Sequence, residues 1–64
     1  MNREELKDLW HRAYPNIPLG ERIMPIYVSK EFGPISWLVL AIEVEADTEV
    51  AYKALEFLHK ENII

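Results

Sequence analysis

The chain has 64 residues, a net charge of −4 and no cysteine. The lack of cysteine excludes disulfides and thiolate zinc sites, and the negative charge disfavours nucleic acid as a partner. We expect a single domain, residues 1–64, whose core is small enough for oligomerisation to help stabilise it. No apolar segment approaches the roughly 20 residues of a membrane-spanning helix, and the N-terminus lacks a secretory apolar core. The sequence therefore predicts a cytoplasmic protein without membrane contact.

The first predicted helix begins after Asn2 and ends near Tyr14. Asn2 and Glu5 have the spacing of a capping box, and Pro15 disfavours helical geometry at the residue before it. Between them, apolar residues recur at steps of three and four, which is the pattern of a helix with one buried face. The members of this stripe are Leu6, Leu9, Trp10, Ala13 and Tyr14.

The segment Ile23 to Lys30 is compatible with two structures. Its β-branched and aromatic residues favour a strand, which Pro25 would confine to a sheet edge. The alternative is a short helix with Pro25 in its first turn and Gly33 just past its end. We favour the strand, followed by a turn at Glu31 to Pro34 and a hairpin with the next segment.

The next segment, Ile35 to Glu45, contains the longest apolar run of the chain, and we interpret it as the second strand. Alternation would then divide its side chains between two faces of a sheet. One face would be apolar throughout, and the other would be apolar in its first half and charged in its second. The first face comprises Leu38, Leu40, Ile42 and Val44; the second comprises Trp37, Val39, Ala41, Glu43 and Glu45.

The last predicted helix begins at Asp47, which is a favourable N-cap residue. Its apolar positions form one broad face, and oppositely charged residues four apart occupy the other. Asn62 can adopt a left-handed conformation after the helix, which would return Ile63 towards Leu58. The apolar positions of this helix are Val50, Ala51, Ala54, Leu55, Phe57 and Leu58.

These elements predict an α+β fold: a small two-layer α-β-β-α domain in which two amphipathic helices cover one face of an antiparallel hairpin. Both helices would cover the first strand face, so nothing would remain for the apolar half of the second. An uncovered apolar row that contains tryptophan typically marks an interaction surface. The predicted interface comprises Trp37, Val39 and Ala41, together with the terminal Ile63 and Ile64.

Four carboxylates fall within seven residues and form a predicted acidic patch. This patch could bind Lys or Arg of another protein or weakly bind a hard cation, or it could be a solvated strand end followed by an ordinary helix cap. A protein that used it would be an acidic inhibitor of a basic surface. Its members are Glu43, Glu45, Asp47 and Glu49.

No catalytic constellation is evident in the sequence. His11 and His59 lie on different predicted helices, without a second ligand one turn away, so we expect no metal site. Neither a nucleophile context nor a phosphate-binding glycine loop is present. We therefore expect neither an enzyme nor a cofactor.

The second half of the chain, GPISWLVLAIEVEADTEVAYKALEFLHKENI, resembles the closing strand and helix of ferredoxin-like regulatory modules such as ACT and NIL domains. Those modules end in an apolar strand, an acidic turn and a helix rich in Ala and Leu. The resemblance implies a domain that binds a small molecule at a dimer seam. The first half departs from it, because this chain opens with a capped helix instead of a strand.

The sequence thus leads to one principal hypothesis. We expect a non-enzymatic protein-interaction or regulatory module that self-associates as a homodimer or larger oligomer through the apolar strand face. A protein partner other than itself is a further possibility. The alternatives are the small-molecule regulatory domain and the acidic inhibitor.

Overall fold

The structure is a computed structural model that describes residues 1–64, and it contains three helices and one antiparallel hairpin. The predicted α+β class is confirmed. None of the helices is both long and apolar enough to cross a lipid bilayer. In chain order the elements are α1 (Arg3–Ala13), two 3-10 turns (Tyr14–Asn16 and Leu19–Glu21), β1 (Pro25–Ser29), β2 (Gly33–Ser36), α2 (Trp37–Glu45) and α3 (Glu49–Lys60).

Helix α1 has the predicted start and end. The Glu5 amide donates to Asn2 Oδ1 at 2.8 Å, and Glu5 Oε1 accepts from the Asn2 amide at 3.5 Å, which completes the capping box. Leu6 and Trp10 of the predicted stripe are buried. The first helix can therefore be derived from local sequence signals.

The hairpin confirms that the segment after Ile23 contains a strand. Tyr27 is paired with Ile35 and Ser29 with Gly33, in antiparallel register. In the turn, Ser29 Oγ accepts from the amides of Glu31 and Phe32, at 3.1 and 3.2 Å. Gly33 has φ = 74°, which glycine adopts without steric cost. The turn geometry is thus fixed by local hydrogen bonds.

The prediction of a strand over Ile35–Glu45 is wrong beyond its first two residues. Strand pairing stops at Ser36, and Trp37–Glu45 forms helix α2. Ser36 is the N-cap: its Oγ accepts from the Val39 amide at 3.2 Å. Eleven extended residues would span about 36 Å, whereas the longest axis of the molecule is 29 Å. The only strand available for pairing, β1, has five residues. If the whole segment Ile35–Glu45 were a strand, the backbone groups of its second half would have no partner.

The helical conformation also corrects both predicted strand faces. Because successive residues of a helix are rotated by about 100°, alternate residues do not share a side. Trp37 from one predicted face and Leu40 and Val44 from the other are buried together. Leu38 and Ile42, which we expected in the core, are exposed.

Asp47 is not the N-cap of the last helix. It has φ = 54°, and its amide donates to the Val44 carbonyl at 3.1 Å, while the Thr48 amide donates to the Glu43 carbonyl at 3.3 Å. These two bonds form a Schellman motif that ends α2. Thr48 caps α3 instead, because its Oγ accepts from the Ala51 amide at 3.2 Å. Two helices therefore meet with a single left-handed residue at their junction.

Helix α3 supplies the largest share of the core and ends as predicted. Asn62 has φ = 59°, and the Ile63 amide donates to the Leu58 carbonyl at 2.8 Å. Ile64 is half-buried and packs against the core. The core lies where α1, α2 and the hairpin meet α3. Its buried apolar residues are Leu6, Trp10, Ile35, Trp37, Leu40, Val44, Ala51, Tyr52, Ala54, Leu55 and Leu58.

Candidate functional site

Three of the four carboxylates in the predicted acidic patch are paired with basic residues of α1. The basic residues lie one helical turn apart along one side of α1, opposite the junction between α2 and α3. Three of the four carboxylates therefore already have partners within the chain. The pairs are Arg3 with Glu49, Lys7 with Asp47 and His11 with Glu45, at N–O distances of 2.6, 3.1 and 2.9 Å.

Asp47 binds residues of two different helices in this row of pairs. The Tyr52 hydroxyl donates to Asp47 Oδ1 at 2.5 Å, and Lys7 Nζ donates to the same oxygen. The hydrogen bond from Tyr52, followed by that from Lys7, lowers the pKa of the Asp47 carboxyl. The same bond to Asp47, together with burial, raises the pKa of the Tyr52 phenol. The side chain of Asp47 thus connects α1 to α3, and the backbone of the same residue ends α2.

Arg3 makes the outermost pair. Its Nη2 donates to both carboxylate oxygens of Glu49, at 2.7 and 2.6 Å, and its guanidinium lies 4.5 Å from the centre of the Tyr52 ring. The Arg3 bond lowers the pKa of Glu49, and the bond to Asp47 raises the pKa of Lys7. Pairs this exposed contribute little individually to stability. Their main effect is to fix the position of α1 against the junction.

Glu43 is the one member of the acidic patch that remains without a partner. It is half-buried, and its carboxylate takes part in no hydrogen bond or ion pair. The other half-buried charged residues, Lys7 and Arg22, both have partners: Lys7 pairs with Asp47, and Arg22 donates to the Ile17 carbonyl at 2.9 Å. Glu43 is therefore the exception among the half-buried charges.

The predicted interface residues do not form one surface. Trp37 is only 7% exposed, and its ring stacks on Trp10 at a centroid distance of 5.5 Å. Ala41 is half-buried against the core, whereas Val39 is exposed on the outer side of α2. The exposed Ile63 and half-buried Ile64 follow α3. The chain itself covers Trp37, so the reason for placing an interface there no longer holds.

A different apolar surface is exposed on the same helix. Leu38, Val39 and Ile42 are 44%, 46% and 70% exposed, and we call these three residues the α2 outer face. Ile23 and Met24 are also exposed. They lie beside the start of α2, because the Leu38 amide donates to the Arg22 carbonyl at 3.0 Å. The sequence signal for this surface was the absence of any polar residue before Glu43 in α2.

A groove lies between β1, the hairpin turn and α3, and Glu43 of α2 also lines it. Its larger concavity has a volume of about 660 Å³, within the range of ligand pockets. Tyr27 and Val28 line both this concavity and a smaller, largely apolar one beside Phe57. We call the two together the β1 groove. No local sequence signal marks this groove, because it depends on the distance between a strand and a helix that are remote in the chain.

The arrangement offers no metal centre: no three His, Asp or Glu side chains come together in a way that could hold an ion. His11 is paired with Glu45, and His59 Nδ1 lies 3.3 Å from the Ile64 carbonyl oxygen. The hydroxyls of Ser29, Ser36 and Thr48 all accept hydrogen bonds from backbone amides of the hairpin turn or of a helix start. These side chains stabilise local structure.

Comparison with protein-family models, with curated proteins and with solved structures gives no match. The resemblance to ACT and NIL domains rested on a closing strand, and that segment is helix α2. The function must therefore be inferred from the surfaces of this chain alone. The α2 outer face and the β1 groove are the two candidates.

Proposed function

We propose that this chain is a non-enzymatic interaction module that self-associates through the α2 outer face. The observation that supports this proposal is the composition of α2. Seven of its nine residues are apolar, and the two glutamates both lie in the last turn. A helix that is apolar on all sides is normally covered on all sides, but this domain covers only the inner side of α2.

A second copy of the chain is a suitable cover, because two α2 helices can pack antiparallel about a two-fold axis. The axis would pass near the middle of the helix, so that Leu38 of one copy faces Ile42 of the other, and the reverse. Opposed helix dipoles are favourable in this arrangement.

The size of the surface limits the strength of the dimer. A nine-residue helix is only about 13.5 Å long, and a stable interface buries about 800 Å² on each partner. Ile23 and Met24 extend the apolar area beyond the first turn of α2. We therefore expect a dimer that dissociates on dilution.

The decisive experiment measures molar mass in solution by light scattering over a wide concentration range. The wild-type chain should approach twice the monomer mass at high concentration. Ile42→Lys should remain monomeric, because it places a charge on the outer face without disturbing the core. Val28→Lys is the matched control: Val28 and Ile42 are 71% and 70% exposed, but Val28 lies on the hairpin. A wild-type chain that is monomeric at every concentration contradicts the proposal.

Trp37 is unsuitable for this test. Because its ring is buried, Trp37→Glu would place an unpaired charge in the core and unfold the domain. Loss of a dimer would then follow from loss of structure. The exposed position 42 separates the two effects.

A mixing experiment tests the antiparallel geometry. Leu38→Glu and Ile42→Lys should each prevent homodimers, whereas a mixture of the two should form a heterodimer. In that heterodimer the introduced carboxylate faces the introduced ammonium, and the unchanged Ile42 of one copy faces the unchanged Leu38 of the other. Native mass spectrometry distinguishes the species. Failure of the mixture, with both homodimers lost, would exclude the antiparallel register while leaving the outer face as the interface.

A further inference from the structure

The outer edge of β1 is an unpaired strand edge. The sheet has two strands, and no backbone hydrogen bond joins Pro25–Ser29 to any element other than β2. Both concavities of the β1 groove are lined by β1 and contain no residue of β2. They therefore lie on the free side of β1. An unpaired edge beside a groove is the arrangement that binds extended peptides by strand addition.

One side of α3 forms the opposite wall of the groove. Val50, Lys53 and Phe57 recur at helical spacing and line it from end to end. Tyr27 contacts Phe57 with ring centroids 5.5 Å apart, which closes the floor between strand and helix. Val28 and Phe57 remain 71% and 40% exposed. One end of the groove thus offers exposed apolar contacts to side chains of an added strand.

The other end of the groove is lined by charged residues, and Glu43 is the only one of them that is half-buried without a partner. Glu43 is half-buried in the wall and has no partner, whereas Lys30, Glu31 and Lys53 are exposed at the rim. Long exposed lysine side chains can move into solvent, but a half-buried carboxylate has less freedom to do so. The group that complements Glu43 is an ammonium or a guanidinium. The net charge of −4 attracts such a group at longer range.

We propose that the β1 groove binds an extended peptide segment, which adds to β1 as a third strand. Apolar side chains at two adjacent positions, which point to opposite faces of the added strand, contact Phe57 and Val28, and a Lys or Arg further along pairs with Glu43. This site is separate from the α2 outer face and does not depend on self-association. Both can be tested in one background, because Ile42→Lys removes the dimer and leaves the groove unchanged.

The first test is selection of random octapeptides displayed on phage against the immobilised Ile42→Lys chain. The expected consensus has two adjacent apolar residues, followed by Lys or Arg. A synthetic peptide with that consensus should shift the backbone amide resonances of Ile26–Ser29 in nuclear magnetic resonance spectra. Absence of a consensus, or shifts confined to α2, overturns the proposal.

Matched variants then test each contact. Glu43→Gln should weaken binding of the selected peptide roughly tenfold, while Glu4→Gln, which removes the same charge from α1, should leave it unchanged. Val28→Lys should weaken binding as well. A peptide N-methylated at alternate amides should bind neither the variants nor the parent chain, since methylation removes the donors that strand pairing requires. Equal binding by the methylated peptide contradicts strand addition.

A small ligand distinguishes a site for an extended peptide from a site for small cations. N-acetylarginine methylamide carries the guanidinium without the rest of the strand, and we expect it to bind at least a hundredfold more weakly than the selected octapeptide. Comparable affinity would show that the groove is a site for small cations, and the peptide proposal would be wrong. Isothermal titration calorimetry on the Ile42→Lys chain measures both ligands under the same conditions.

Discussion

Helices α2 and α3 are adjacent in the chain but differ in how their sequences relate to their surroundings. Helix α3 buries one side and presents charged residues such as Lys53 and Glu56 on the other. Helix α2 buries one side and presents Leu38 and Ile42 on the other. Both contribute to one core, so burial alone does not explain the difference. The apolar outer side is therefore specific to α2. The proposed dimer would bury it.

The two helices also depend differently on their neighbours. The stripe and the charges of α3 specify a helix locally. The composition of α2 does not, because its Val and Ile residues also favour a strand. Ser36 at its start and the Schellman motif at its end satisfy terminal backbone groups of the helix once it has formed. Substitutions on the inner and outer sides of α2, and at the ends of α2 and α3, test this difference between the two helices.

The largest expected effect comes from truncating the inner side of α2. Leu40 is fully buried, so Leu40→Ala should destabilise the fold by about 2–5 kcal/mol. A domain of this size has roughly 3–5 kcal/mol in total, so the variant should be largely unfolded at 25 °C. Leu38→Ala, on the outer side of the same helix, should change the free energy of unfolding by less than about 0.5 kcal/mol.

Urea denaturation of both variants in the Ile42→Lys background measures these effects without the contribution of self-association. Equal destabilisation by the two substitutions would show that α2 has no distinct outer side in solution. That result would also remove the basis of the proposed dimer.

A smaller effect should distinguish the two left-handed residues that follow the helices. Both end a Schellman motif, but only the side chain of Asp47 binds Lys7 and Tyr52. Asn62→Gly should change stability little, because glycine adopts the left-handed conformation readily. Asp47→Gly keeps the backbone and loses two partners, so it should lower the melting temperature. If both substitutions were neutral, the contacts of Asp47 would contribute nothing to stability.

The smallest effect is the acid dependence of the pairs between α1 and the junction. The pKa of Asp47 is lowered chiefly by the Tyr52 hydroxyl, and that of Glu49 by Arg3. Carboxyl groups with lowered pKa values in the folded state stabilise it fully above their ordinary pKa, near about 4. This stabilisation is lost as the pH falls through the lowered values.

Thermal unfolding monitored by circular dichroism between pH 7 and pH 2 measures this loss. The wild-type melting temperature should fall more steeply below about pH 4 than that of an Asp47→Asn, Glu49→Gln double variant. Parallel curves would show that the two carboxyls do not contribute to the pH dependence. Glu4→Gln is the control, since Glu4 takes part in no hydrogen bond or ion pair with a side chain.

The sequence predicted part of the candidate site and missed the rest for identifiable reasons. It indicated self-association from excess apolar residues, and it indicated an acidic patch. Trp37 was predicted to lie at the surface because its segment was interpreted as a strand. In the helix that forms instead, the Trp37 side chain points into the core. The sequence could not show that α1 provides partners for three of the four carboxylates, because the paired residues are remote in the chain: Lys7 and Asp47 are 40 positions apart. Glu43 emerges as exceptional only after those pairs are known.

Elements that depend on neighbours within one or two turns could be predicted from the sequence. These are the capping box at Asn2, the strand before the hairpin turn, the apolar stripe of α3 and the left-handed Asn62. The conformation of Trp37–Glu45 depends instead on contacts with residues remote in the chain. Its residues suit a helix or a strand, and the outcome depends on whether another strand is long enough to pair with it. Strand β1 has five residues, so the remaining backbone satisfies its hydrogen bonds within a helix.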